Sequence, residues 1–193
     1  MKKVLLTLAI LFVLLVGLAF AVIYTGAYDV SAARPEGSLT RWALSTMMEH
    51  SVKRHADQIV VPGLDDSALV RIGFEHYSDM CVSCHGSPAG GQTEAGRGLN
   101  PPAPDLSQSA KSWSPAELYW IIRNGVKMTG MPAFGPTHDE NEIWGMVAFV
   151  RKLPGMSAEQ YKAFSSQSLD HAGITAQGVE EPDHQHSAEH AHH

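Results

Sequence analysis

At 193 residues with 44% hydrophobic side chains, the chain has material for one ordinary globular core plus extensions, which excludes wholesale disorder. Fourteen cations against 20 carboxylates give a net charge of −6. No basic stripe interleaved with aromatics tracks a phosphate backbone, so nucleic acid is excluded as a partner. The acidity is concentrated at the end: six cations meet six carboxylates in 1–66, seven meet eight in 67–153, and one meets six in 154–193.

The first element follows Lys2 and Lys3, where Val4 to Tyr24 carry no charge. A helix of that length spans roughly 30 Å, the thickness of a hydrocarbon core. With the lysines on the cytoplasmic side, the rest of the chain is exported. Ala19-Phe20-Ala21 offers a cleavage site, but the apolar run continues through Val22, Ile23 and Tyr24, which favours a retained anchor. Residues 1–24 are therefore expected to be a transmembrane helix or an uncleaved signal. Residues 25–66 follow as a linker and juxtamembrane helix. That helix, in "SLTRWALSTMMEHSVKRHADQI", carries a loose apolar stripe of Leu39, Trp42, Met47 or Met48, Val52 and Ile59. It is free to lean on the membrane or on the domain that follows, and His50 and His55 read as solvent-facing.

The domain proper is expected over 67–155. Asp66 or Ser67 caps a helix that runs through "ALVRIGFEHYSDM" into Cys81. About 25 residues rich in Gly and Pro come next, a loop too long for a compact domain unless something large packs beneath it. "SWSPAELYWIIRNG" then shows Ser114 as N-cap, Pro115 in the first turn, Glu117 completing a capping box, and Asn124-Gly125 as the stop. "VKMTGMPAFGP" is a second loop. A last helix opens on a capping box of Thr137 and Glu140 and turns Ile143, Trp144, Val147 and Val150 inward. No stretch alternates with period 2, so the fold class is all-α. Residues 156–193 read as a short helix around "SAEQYKAFSS" followed by an acidic, His-rich tail, largely disordered.

The only cysteines in the sequence, Cys81 and Cys84, stand as C-x-x-C followed by His85. A disulfide between them would close a very short loop and stabilise little. Zinc needs two further ligands at structural spacing, and a thioredoxin-like dithiol needs a βαβ context; neither is present. The reading that uses all three residues is a c-type haem attachment, in which both thiols form thioethers to the vinyl groups and the histidine is held under the iron. A covalent haem would also supply the apolar mass that the long Gly/Pro loop lacks.

Over residues 67–153 the chain resembles the class I c-type cytochromes. "GFEHYSDMCVSCHG", "GLNPPAPDL", "RNG", "TGMPAF" and "IWGMVAFVRKLP" follow in that family's order, and "SVKRHADQIVVP" looks like its membrane-tethered members. The resemblance implies a cytochrome c-like helical domain around one covalent haem c, with Cys81 and Cys84 as thioethers and His85 and Met131 as axial ligands. Met128 is the rival for the second axial position, but Gly130 and Pro132 fix a tight turn at Met131. The family's close helix crossing falls on Gly73, against Phe149 or Trp144. Tyr77, Leu106, Trp113, Trp120 and Phe134 are expected in the haem pocket or core, while Arg97 and Arg123 are either propionate partners or solvated surface.

A His/Met iron has no open site, which favours passing one electron over binding substrate. The expected function is a single-electron carrier, no enzyme, on the periplasmic side of a bacterial inner membrane. Its redox protein partners would be a membrane dehydrogenase or quinol-oxidising complex and a terminal oxidase or reductase. Two alternatives stay open: a haem peroxidase or gas-binding protein with a labile Met ligand, and a metal-binding module. The second would use His184, His186, His190, His192 and His193, whose spacing suits Cu or Zn.

Overall fold

The computed structural model describes residues 1–171, with side chains described through Ser166. All described regular structure is helical; the one β-type pairing is an isolated bridge between Ser87 and Gly91. The first helix, α1 (Lys2–Thr25), is long and apolar enough to cross a membrane, and none of its residues is buried. It ends at Gly26 in the left-handed region.

Two helices that are distant in sequence form the centre of the domain: α3 (Ser67–His76) and α8 (Glu140–Val150). Asp66 caps α3 by accepting from the backbone N–H of Ala68, which satisfies one of the donors a helix start leaves open. At the crossing, a Cβ on Gly73 would collide with the carbonyl of Gly145 and stand 2.9 Å from Phe149 Cβ. Glycine is therefore required by close approach, with Gly145 and Phe149 as its neighbours. Trp144 instead stacks on Tyr119, ring centroids 4.2 Å apart. Val70, Phe74, Tyr77, Ile143, Met146, Val147, Phe149 and Leu153 are buried around the crossing.

The box that opens α8 is formed by Asp139 and Glu142, each accepting from the other's backbone N–H at 2.9 and 2.8 Å, so the expected pair Thr137 and Glu140 is corrected by two residues. Thr137 instead turns its hydroxyl to the carbonyl of Phe134 at 3.2 Å and to His138 Nδ1 at 2.9 Å, finishing the preceding loop. By contrast α7 (Pro115–Asn124) opens on the Ser114–Glu117 box and stops at Gly125 as the sequence indicates.

Two further helices lie against this core. The second helix, α2 (Ser38–Ala56), packs on α7; Val52 and Ala56 are buried, and His55 stacks on Trp120 with ring centroids 5.2 Å apart. At the other end, α9 (Ala158–His171) sets Tyr161 beside Phe74 and Phe149, while Phe164 reaches the same two rings. The core therefore extends past residue 155, and the first part of the expected tail belongs with the domain: an aromatic cluster outweighs the polar composition of that segment.

Candidate haem site

The cysteine segment is positioned by a change of helical pitch. After α3 the chain takes a five-residue π-helical turn, Tyr77–Cys81, and continues as the short helix α4 (Val82–His85). Such wide turns recur at functional sites because they shift the following side chains around the helix axis. Tyr77, 1% exposed, donates its hydroxyl to the carbonyl of Gly86 at 2.7 Å and so closes 77–86 into a clip that holds both cysteines and His85. Burial raises the Tyr77 phenol well above its ordinary range, with smaller contributions from Cys81, Tyr161 and Asp105. Both cysteines are free thiols and half-buried. Desolvation, and to a lesser degree Cys84, pushes Cys81 up to about 12.

His85 makes the most informative contact of the site. Its Nδ1 lies 2.8 Å from the carbonyl oxygen of Pro104. A carbonyl only accepts, so Nδ1 carries the proton and Nε2 keeps its lone pair for a metal. Pro104 escaped the sequence reading, since "NPPAPDL" looks only like a rigid loop. A loop whose composition contributes no core, placed directly after the C-x-x-C-H segment, was the available signal. Its placement rests on Gln92 Nε2 donating to Ala103 O at 2.8 Å and on Thr93, which donates to Ser83 O at 2.7 Å and caps α5 (Glu94–Gly98).

The methionine loop is fixed from α7. Phe134 and Gly135 donate to the carbonyls of Ile122 and Arg123 at 3.2 and 2.8 Å. Within the loop, Val126 N–H donates to Met131 O at 3.2 Å, and Thr129 Oγ1 accepts from Met131 N–H at 3.1 Å. Met131 is half-buried and packs on the core, whereas Met128 is 81% exposed and adopts φ +61°. Gly130 brings this loop against the His85 side: an added Cβ would lie 2.6 Å from Leu99 Cδ2. The two loops are therefore in contact.

Leu106, which opens α6 (Leu106–Ser109), Trp113 and Phe134 are partly buried against the core together with Met80, Cys81, Val82 and Met131. Trp120 is half-buried beneath His55. Arg97 donates to Gln92 O at 2.7 Å and Arg123 to Tyr119 Oη at 2.9 Å. Among the described residues no group of three or more His, Cys, Asp or Glu is placed to hold a metal ion. Two thiols, an imidazole with its outer nitrogen committed, and a thioether on the adjoining loop do fit a covalent haem. The histidines of the tail, His184 to His193, lie outside the described residues.

Residues 68–150, a little under half of the chain, match the family model described as cytochrome C oxidase, cbb3-type, subunit III. No curated protein matches the chain.

Proposed function

We propose that this chain, whose residues 68–150 are a c-type cytochrome domain, is a membrane-tethered single-electron carrier with one haem c bound through Cys81 and Cys84 and ligated by His85 and Met131. The hydrogen bond from His85 Nδ1 to Pro104 O carries this reading, because it fixes the ring's tautomer with Nε2 available to iron. When bound, the haem supplies a one-electron Fe(III)/Fe(II) couple. Pro104 holds the His85 ring in place and raises its basicity. Met131 offers a soft neutral sulfur that favours the reduced state, and the Thr129 and Val126 contacts hold its backbone. Leu106, Trp113 and Phe134, partly buried against the core, would limit the access of water to the haem.

With His85 and Met131 both available to hold the iron, no position would be left for an outside ligand, so electron relay is favoured over peroxidase chemistry or gas binding. In this reading Lys2 and Lys3 before α1 stay in the cytoplasm and the domain lies on the periplasmic side of a bacterial inner membrane, which the excess of cations ahead of the apolar helix supports. There it would connect a dehydrogenase or quinol-oxidising complex with a terminal oxidase or reductase. The matched family, an oxidase subunit, is consistent with the acceptor side of this relay. The C-terminal histidines add a Cu or Zn site in this reading, tested by calorimetric titration with and without residues 180–193.

The haem assignment is tested on the purified full chain. One covalent haem per chain by alkaline pyridine spectroscopy, reversible one-electron titration and the weak far-red band of Met–Fe(III) ligation are expected. Ready binding of cyanide or carbon monoxide without denaturant would favour the peroxidase or gas-binding alternative.

A further inference from the structure

The second helix has two faces with different partners. Leu44, Met48, Ser51, Val52 and Ala56 are turned toward the domain and are half or fully buried. At about 3.6 residues per turn, Leu39, Trp42 and Lys53 fall on the opposite side. Leu39 is 73% exposed and Trp42 64% exposed. α2 carries Arg41, Lys53 and Arg54 against Glu49 alone, three cations to one carboxylate, all four exposed. Arg41 falls in line with Met48 and Val52, while Lys53 and Arg54 lie on the outer side, so the outer face is apolar at its start and basic at its end.

The linker limits where this face can go. Arg34 is tied to the domain, its carbonyl accepting from Asn100 Nδ2 at 2.8 Å. Only residues 26–33 separate Arg34 from the end of α1, and eight residues reach at most roughly 30 Å. A turn at Asp29–Arg34, closed by their ion pair at 3.1 Å, shortens that further. Tyr28 and Val30 in the same segment are exposed.

Taking α1 as a retained membrane anchor, on which this argument rests, we propose that the outer face of α2 sits on the surface of the bilayer. Leu39 and Trp42 enter the interfacial layer, and Lys53 and Arg54 meet anionic phospholipid headgroups. Tryptophan's apolar body and polar N–H suit that layer, and cations next to an apolar stripe suit an anionic surface. The continuity of this face with the anchor selects lipid over a protein as its occupant. The domain is then held in one orientation, α7 being fixed to α2.

The test uses the full-length haem-loaded chain in nanodiscs of phosphatidylglycerol. Thioether formation consumes both native cysteines, so Leu39→Cys, Lys162→Cys on α9 and Phe12→Cys in α1 each introduce the single free thiol. Alkylation by a bulky polar maleimide is expected to be severalfold slower at position 39 than at 162, and adding Trp42→Glu to Leu39→Cys should restore the rate. Equal rates at 39 and 162, with 12 unreactive, would overturn the seat while leaving the anchor intact. Reactivity at 12 equal to that at 162 would show that the anchor reading itself has failed. Slow alkylation at 39 in native membranes but not in the nanodiscs would assign the face to a protein partner and overturn the lipid assignment.

Discussion

Met131 and Met128 are three residues apart and chemically identical, yet only Met131 is half-buried, while the side chain of Met128 is 81% exposed on a backbone with φ +61°. Met131→Ala is expected to leave the haem attached, lower the reduction potential and open the iron to cyanide. Met128→Ala should leave both properties unchanged, as potentiometry and ligand titration would show. Tyr77 offers a second contrast. Tyr77→Phe leaves the buried Gly86 carbonyl without its donor and should cost about 1–2 kcal/mol in denaturant unfolding. Its phenol is raised in the folded state, so the stability it contributes is fully present below its unfolded value of about 10 and is lost as pH rises beyond that. The Phe variant should therefore lose less stability between neutral and strongly alkaline pH than the native chain does.

At the scale of elements, the α3–α8 crossing is the least tolerant contact of the domain. Gly73→Ala forces the helices apart and should cost about 3 kcal/mol or more, read as a fall in thermal midpoint and in haem yield. Gly145→Ala meets its nearest neighbour, Leu69 O, at 3.0 Å, and a milder loss is expected. The aromatic cluster that joins α9 to α3 and α8 makes a different demand. Tyr161→Ala should destabilise the domain by about 3 kcal/mol through the cavity left beside Phe74, measured by denaturant titration of the full chain. A helix that merely decorated the surface would show almost no change.

For the molecule as a whole, the 24-residue exposed helix α1 predicts that the mature protein stays with membranes through a carbonate wash. N-terminal sequencing that begins at Val22 would contradict this. The legible parts were those written in local chemistry: the Ser114–Glu117 box and the C-x-x-C-H segment each announce themselves within a few residues, whereas the tight turn expected at Met131 lies instead at Lys127 and Met128, with Met128 at φ +61°. Contacts between distant segments were not legible. The bond from His85 to Pro104 crosses 19 residues of irregular loop, and nothing in its proline run specifies which carbonyl turns inward. The docking of α9 was hidden because two aromatics in a polar segment resemble the scattered apolar residues of any surface helix. The box at Asp139 was displaced because "THDENE" offers overlapping cap pairs, and helix packing decides between them.

The Gly73–Gly145 contact also bears on the order in which the protein can be made. Its two partners are 72 positions apart, so α3 has no place to dock until nearly all of the domain has been synthesised. A chain made from its amino end therefore passes through a period in which Cys81, Cys84 and His85 are present while their closing helix is not. During that interval the crossing cannot yet close over the two sulfurs. The crossing thus acts as a timer: it delays closure of the core until the last residues arrive, which would leave time for a cofactor to be joined to the chain.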